Sequence, residues 1–262
     1  MKIKDILVHL DQTPACTTRV SAALDLARQH DACLRGLYVY ESPRMKNTTQ
    51  AVAQVREQFQ KQIAGANIES GWLDVDLGVS KVSVVEMLSY QSCFTDLLVV
   101  SHPTDWRQDQ TTAYAGIERL LLGAGSPVLV VPLSGSLATL GARIMIAWKA
   151  GPKAARAMHD AMPLMTLAKQ VNLISVGKKD GFAQEVRRLK EYLTCHNLEA
   201  TIEQIPASRL NIGDTLLNLC ADDAIDMIVM GVHLTTVRGK LSLGEVGNQL
   251  LQQMTVPVLL TN

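Results

Sequence analysis

The sequence has 262 residues, of which 47% are hydrophobic and 19% are charged, as in an ordinary soluble globular protein. Its 25 basic and 25 acidic residues cancel, which excludes a general attraction to nucleic acid or to an anionic membrane. The five cysteines are far apart, with no C-x-x-C pair, and no signal peptide is recognised. We therefore expect a cytoplasmic protein with free thiols, no metal site and no membrane span.

In the first half, apolar runs of strand length alternate with segments whose apolar residues recur at helical spacing. The predicted strands are residues 4–11, 33–39, 72–79, 96–100 and 127–131. The predicted helices are residues 18–30, 48–66 and 82–90, followed by one around the leucine run at 120–122. Strands that alternate with helices predict a parallel sheet with helices on both of its faces.

The second half repeats this order. The predicted strands are residues 143–149, 171–176, 200–204, 226–230 and 257–260, and the predicted helices are residues 152–164, 184–196 and 214–220. The last two strands follow their first-half counterparts at the same offset of 130 residues, so the interval between them is conserved, loop included. Residues 133–137 are small and polar enough to be a linker. We predict two α/β domains, residues 1–137 and 138–262.

Several segments carry a resemblance to a known family. They read DILVHLD at 5–11, DLLVV at 96–100 and LLLGAGSPVLVVP at 120–132, then AW at 147–148, AARA at 154–157, DMIVMG at 226–231 and MTVPVL at 254–259. Each half resembles a universal stress protein domain, and the whole chain resembles the tandem members of that family. The resemblance implies two doubly wound domains, each with a five-stranded parallel sheet. In such sheets a ligand binds beyond the carboxyl ends of the strands, where the strand order reverses.

The resemblance also implies where an adenine nucleotide would bind. ATP-binding members carry G-x-x-G, nine further residues, and then Gly with Ser or Thr, together with an aspartate after the first strand. Glycines let backbone N–H groups approach phosphates closely, and the last glycine and hydroxyl open a helix whose N-terminus favours anions.

The second half matches this motif in part. It reads Gly231-Val232-His233-Leu234, nine residues, then Gly244-Glu245. Leu234 replaces the second glycine and Glu245 replaces the hydroxyl residue. A carboxylate there repels phosphate and itself interacts favourably with the helix dipole, so Glu245 would take the role of the phosphate. Lys149 stands in place of the aspartate, and Arg238 and Lys240 are expected in a solvated basic loop.

The first half has diverged in the opposite direction. It keeps the aspartate as Asp11 but reads Ser101-His102-Pro103-Thr104, nine residues, then Tyr114-Ala115, without a glycine of the motif. Neither half therefore combines the aspartate with the glycines. The candidate binding residues are Asp11 in the first half and, in the second, Gly231, Val232, His233, Gly244 and Glu245.

The sequence contains no G-x-S-x-G elbow, no H-E-x-x-H helix and no P-loop pattern, so nothing in it demands an enzyme. We predict a non-enzymatic stress-response protein with degenerate nucleotide-binding loops that acts by binding a small molecule or a partner. The alternative is an ATP-binding protein, with weak ATPase or switch behaviour in the second domain, whose cofactor is ATP or another adenine nucleotide. We also expect the last strands of the two halves to pair as an intramolecular pseudo-dimer, and we leave a homodimer open.

Overall fold

The computed structural model describes residues 2–42, 47–78, 82–102, 115–133, 137, 139–177, 181–206, 211–237 and 240–262. The chain divides into two compact units, residues 2–133 and 134–262, called here the N-terminal unit and the C-terminal unit. Each unit alternates strands with helices, as the periodicity of the sequence predicts.

The N-terminal unit contains five strands and four helices in its described residues. Its strands are β1 (Asp5–Leu10), β2 (Cys33–Tyr40), β3 (Ser70–Asp76), β4 (Leu97–Ser101) and β5 (Val128–Val131). Its helices are α1 (Ala15–His30), α2 (Thr48–Ile63), α3 (Val84–Ser92) and α4 (Ala115–Gly123). The strands are parallel in the order β3-β2-β1-β4-β5. Strand order therefore reverses between β1 and β4.

The C-terminal unit repeats this architecture and adds a small hairpin. Its sheet strands are β6 (Arg143–Ala147), β7 (Gln170–Val176), β8 (Thr201–Ile205), β9 (Met227–Gly231) and β12 (Val258–Thr261). The hairpin strands are β10 (Leu234–Val237) and β11 (Lys240–Leu243). The helices are α5 (Pro152–Met165), α6 (Phe182–Cys195), α7 (Ile212–Asp222) and α8 (Glu245–Gln253). The parallel sheet has the order β12-β9-β6-β7-β8, and its order reverses between β6 and β9.

Buried strands form the core of each unit. Every side chain of β4 and β5 is buried, as are all but the first of β1. Burial on both faces explains why these strands appear in the sequence as continuous apolar runs rather than as alternating patterns. The predicted fold class, two tandem doubly wound domains with five-stranded parallel sheets, is confirmed.

The predicted boundaries differ from the structure by up to three residues, at strand ends such as that of β3 as well as at helix ends. Helix α1 begins at Ala15 rather than at residue 18, and α2 ends at Ile63 rather than at residue 66. The hairpin is a correction, because residues 235–243 were expected to form a loop. Its strands pair in antiparallel register from Leu234 opposite Leu243 to Val237 opposite Lys240. Lys240 therefore begins a strand, whereas Arg238 lies outside the described residues.

One tie between a carboxylate and the backbone recurs in both units at the offset of 130 residues. The Asp96 carboxylate accepts hydrogen bonds from the backbone N–H groups of Lys4 and Asp5 at 2.7 and 3.0 Å. The Asp226 carboxylate accepts from the N–H groups of Gly141, Ala142 and Arg143 at 3.0–3.1 Å. Each aspartate thereby fixes the chain where the first strand of its unit begins.

Two further features of the described residues bear on function. All five cysteines are free, and Cys33 and Cys220 are buried. None of the described helices is both long and apolar enough to cross a bilayer.

We expect Asp226→Ala to lower the free energy of unfolding of the C-terminal unit by about 1 to 3 kcal/mol, because three backbone donors lose a charged acceptor. Urea denaturation followed by circular dichroism measures this change. The matched control is Asp222→Ala, an exposed position near the end of α7, which should leave the urea midpoint nearly unchanged. Equal midpoints for the two variants would refute the role assigned to Asp226.

Candidate functional site

The C-terminal unit contains a cavity of about 520 Å³ at the carboxyl ends of β6 and β9. This is the place where the strand order of the unit reverses, and doubly wound sheets bind ligands at such crevices. The first turns of α5 and α8 and the hairpin strand β11 complete its wall. The wall includes Gly231, Val232, His233, Gly244 and Glu245, so the structure brings together all five candidate residues of the second half.

The interior of the cavity is apolar. Ala147, Ile174, Leu216, Met230 and Leu243 line it together with Trp148, whose side chain is almost fully buried. The indole N–H of Trp148 donates a hydrogen bond of 2.7 Å to Glu185 Oε1 on α6. This bond holds the ring in one orientation, so the cavity has a fixed aromatic wall.

Gly231 is required by packing. A Cβ atom at this position would lie 2.3 Å from the carbonyl oxygen of Lys153 and 2.4 Å from its carbonyl carbon. Only glycine therefore lets the end of β9 approach the first turn of α5 this closely. The sequence interpretation attributed this glycine to contact with phosphate, and the structure supplies a packing reason for it.

Gly244 differs from Gly231, because a residue with a side chain also fits at its position. Its φ is −60°, and a Cβ atom would meet only the His233 carbonyl oxygen, at 3.7 Å. The N–H of Gly244 already donates to that same oxygen at 2.9 Å. An N–H group at this end of α8 that meets a ligand would therefore belong to a residue after Gly244.

The charged residues of the cavity stand at its mouth. Glu245 is exposed at the first position of α8, and the Gly244 N-cap makes no side-chain capping bond. Lys149 is exposed, while the Lys153 ammonium donates to Asn262 Oδ1 at 2.7 Å. The mouth thus presents both signs of charge around an apolar interior.

The hairpin contributes to the cavity through its second strand. Leu243 lines the wall, and its carbonyl oxygen accepts a hydrogen bond of 2.8 Å from the side-chain amide of Asn248 on α8. The hairpin is thereby attached to the helix that carries Glu245. The sequence signal that could have predicted the hairpin is the β-branched run of residues 235–237, followed by a glycine at 239.

In the N-terminal unit, Asp11 is engaged by neighbouring residues. Its Oδ2 lies 2.8 Å from Nη2 of Arg19, a side chain of α1 with no solvent exposure. Its Oδ1 accepts hydrogen bonds from the N–H and hydroxyl of Thr13 at 2.9 and 2.6 Å. The Arg19 guanidinium also bonds the Ser101 hydroxyl and, at 2.5 Å, the His9 carbonyl oxygen. His102 is buried, and residues 103–114 lie outside the described part of the chain.

The same cluster shifts two pKa values. Burial, reinforced by the nearby Arg19 cation, lowers the pKa of His9 to about 3, although Asp11 acts in the opposite direction. Burial acts to raise the pKa of Asp11, but Arg19, His9 and the Thr13 hydrogen bonds prevail and hold it below its usual value. His9 is therefore neutral and Asp11 is ionised at neutral pH.

Comparison with known proteins identifies the fold. The model of the universal stress protein family matches residues 145–262. The crystal structure of a universal stress protein from Archaeoglobus fulgidus DSM 4304 aligns with 100% of this chain and 99% of its own, at a TM-score of 0.73 and 13% identity. A functionally unknown protein from Pseudomonas aeruginosa PAO1 aligns with 99% of this chain and 92% of its own, at a TM-score of 0.59 and 15% identity. Residues 145–262 are therefore similar to the universal stress protein family, and the whole chain shares its fold with these two structures.

One further similar structure contains a nucleotide. A universal stress protein from Archaeoglobus fulgidus in complex with dAMP aligns with 50% of this chain and 98% of its own, at a TM-score of 0.38 and 15% identity. The nucleotide is a property of that protein. The comparison with curated proteins finds no match.

The depressed pKa of His9 predicts a pH dependence of stability. The unfolded chain binds a proton at His9 below about pH 6.5 and the folded chain does not, so stability should fall from pH 6.5 towards pH 3. One such proton contributes a slope of at most about 1.4 kcal/mol per pH unit. His9→Gln should reduce this slope in urea titrations at pH 4 to 6.5, leaving a part due to His30, whose pKa burial also lowers. An unchanged slope in His9→Gln would contradict the assignment.

Proposed function

We propose that this protein is a non-enzymatic binding protein of the stress response, and that its C-terminal unit holds one small molecule in the cavity described above. The observation that carries the proposal is the 520 Å³ cavity at the strand-order reversal, which five sequence-predicted residues line. Its volume lies in the range of about 300–1,000 Å³ that is usual for small-molecule sites. Its apolar interior suits an aromatic or aliphatic body, for which the Trp148 ring supplies a fixed surface.

The charges at the mouth favour a ligand with few negative charges. Glu245 stands where a phosphate would meet the N-terminus of α8, and two like charges about 4 Å apart repel by about 1 kcal/mol even in water. Lys149 and Lys153 lie at the same mouth and offset part of this repulsion for a single anionic group. A nucleoside or a nucleoside monophosphate therefore suits the site better than a triphosphate.

The absence of catalysis is part of the proposal. The titratable groups at the mouth are Lys149, Lys153, His233 and Glu245. In the described part of the chain, no hydrogen bond or ion pair joins any two of these groups. A general base with a positioned nucleophile would need such a contact. Ligand binding without catalysis therefore accounts for the titratable side chains at the mouth of the cavity.

The second candidate is an ATP-binding protein with weak ATPase or switch behaviour. Gly231 and Gly244 favour it, because both glycines face the cavity at the motif spacing. Glu245 disfavours it, and so does Lys149 at the position of the aspartate. The two candidates differ in how binding responds to the number of phosphates.

We expect adenosine, used as a probe, to bind the wild-type chain in calorimetry and to lose its binding in Gly151→Trp. Gly151 lines the mouth in an extended conformation, where a Cβ atom meets only the Lys149 carbonyl oxygen at 3.7 Å. A tryptophan should therefore fold normally and fill the cavity. The matched control, Ala183→Trp on the exposed face of α6, should bind like the wild type. Failure of adenosine, AMP and ATP alike to bind the wild type would contradict the proposal.

Replacement of the carboxylate should relieve the repulsion of phosphate. We expect Glu245→Ser to raise the affinity for ATP about fivefold, the equivalent of about 1 kcal/mol, and to leave adenosine binding nearly unchanged. Titrations of both ligands against Glu245→Ser and against the exposed control Glu199→Ser measure the effect. Wild-type binding of ATP tighter than that of adenosine would favour the second candidate.

The pairing of the two last strands remains a prediction. Strands β5 and β12 each lie at the end of the sheet in their own unit, and an end strand leaves alternate backbone groups without a partner in its sheet. If these strands pair within one chain, every amide of 129–131 and 259–261 should exchange slowly with deuterated water. Fast exchange at alternate amides of either strand would contradict the pairing. Sedimentation of the intact chain tests the homodimer separately.

A further inference from the structure

Arg19 is a cation enclosed by protein. Its side chain has no solvent exposure, and its three nitrogens reach the His9 carbonyl oxygen, the Ser101 hydroxyl and the Asp11 carboxylate. Removing a guanidinium from water without partners is very costly. The carboxylate of Asp11 neutralises the charge, so a cluster of acceptors around one guanidinium group exists at the carboxyl ends of β1 and β4.

The sheet registers identify the equivalent positions in the C-terminal unit. Ile6 pairs with Leu97, and Ile144 pairs with Met227, so the first strand and helix correspond at an offset of 138 and the fourth strand at 130. The equivalents of His9, Asp11, Thr13 and Ser101 are therefore Ala147, Lys149, Gly151 and Gly231. All four of these equivalents line the 520 Å³ cavity.

The position of Arg19 corresponds to Ala157, which is fully buried on α5. Four of the five positions thus carry a larger side chain in the N-terminal unit: Arg19 for Ala157, His9 for Ala147, and Thr13 and Ser101 for two glycines. In the N-terminal unit Ser101 bonds the guanidinium with its hydroxyl, His9 bonds it with its backbone carbonyl oxygen and Thr13 holds the Asp11 carboxylate, whereas three of the small residues line the open cavity. Among the described residues, Arg19 therefore occupies in the N-terminal unit the place that borders the open cavity in the C-terminal unit.

We propose that the N-terminal unit has a guanidinium-binding site which its own Arg19 occupies as an internal ligand. The three acceptors lie around a planar group with N–H donors on each edge, which a lysine ammonium cannot reproduce. With Arg19 in place, this crevice takes no diffusible ligand through Asp11. The inference stands independently of what the C-terminal unit binds.

The test is chemical rescue of the full-length chain. Arg19→Ala leaves the Asp11 carboxylate without its cation and should lower the midpoint of thermal unfolding. Guanidinium chloride at millimolar concentration should then raise the midpoint of this variant saturably, by about 3 to 6 °C at ten times its dissociation constant. Denaturation by such concentrations is negligible, because it scales with molar amounts.

Three controls match this experiment. Urea has the shape of guanidinium but no charge and should give no rescue. Arg28→Ala removes a half-exposed arginine of the same helix, 3.8 Å from Asp25, and should not respond to guanidinium. Arg19→Ala combined with Asp11→Asn should lose the rescue, because the anionic acceptor is gone. Equal responses of Arg19→Ala and Arg28→Ala to guanidinium would overturn the proposal.

A second measurement on the wild type covers the case in which Arg19→Ala does not fold. Nitrogen-15 NMR should show one arginine Nε–H that exchanges slowly with water, and Arg19→Lys should remove that signal. Asp11→Asn should shift or broaden it. A wild-type spectrum in which every arginine Nε–H exchanges rapidly would overturn the proposal, since a buried and hydrogen-bonded guanidinium cannot exchange freely.

Discussion

A doubly wound sheet leaves a crevice at the carboxyl ends of the two strands where its order reverses. The protein must fill this space with side chains or leave it for a ligand, because close-packed interiors tolerate few voids. Both units have the same backbone fold around this crevice, but they meet the constraint in different ways. In the described part of the N-terminal unit, Arg19 and its acceptors occupy the space between β1 and β4, whereas the C-terminal unit keeps about 520 Å³ open between β6 and β9.

This difference assigns separate roles to the two halves. The Arg19–Asp11 ion pair links α1 to the end of β1, so the aspartate that the family resemblance connects with nucleotide binding has a structural partner here. In the C-terminal unit, Gly231 serves the packing of β9 on α5, while Gly244 and Glu245 shape the mouth of the cavity. A tandem chain can in this way keep the stability of two domains while it retains one open site.

The sequence predicted the fold well, because each buried strand is a continuous apolar run and the two halves repeat those runs at a constant offset. The sequence also predicted that Gly231 and Gly244 line one site, because one glycine ends a strand and the other precedes the next helix. It did not predict the burial of Arg19, because a charged residue next to the apolar face of α1 appears solvated in any helical pattern. The Asp11 carboxylate, the His9 carbonyl oxygen and the distant Ser101 hydroxyl make that burial favourable. The family motif did not predict the hairpin, because the motif specifies only the number of residues between its glycines and not their backbone pairing.

Native mass spectrometry of the purified full-length chain, combined with hydrogen exchange, tests most directly whether one unit is open and the other is filled. We predict one bound small molecule per chain, taken up during expression or added as adenosine. Its presence should protect the amides of residues 148–154 and 231–247 and leave those of residues 11–19 unchanged. Two molecules per chain, or protection of residues 11–19 on binding, would contradict the account.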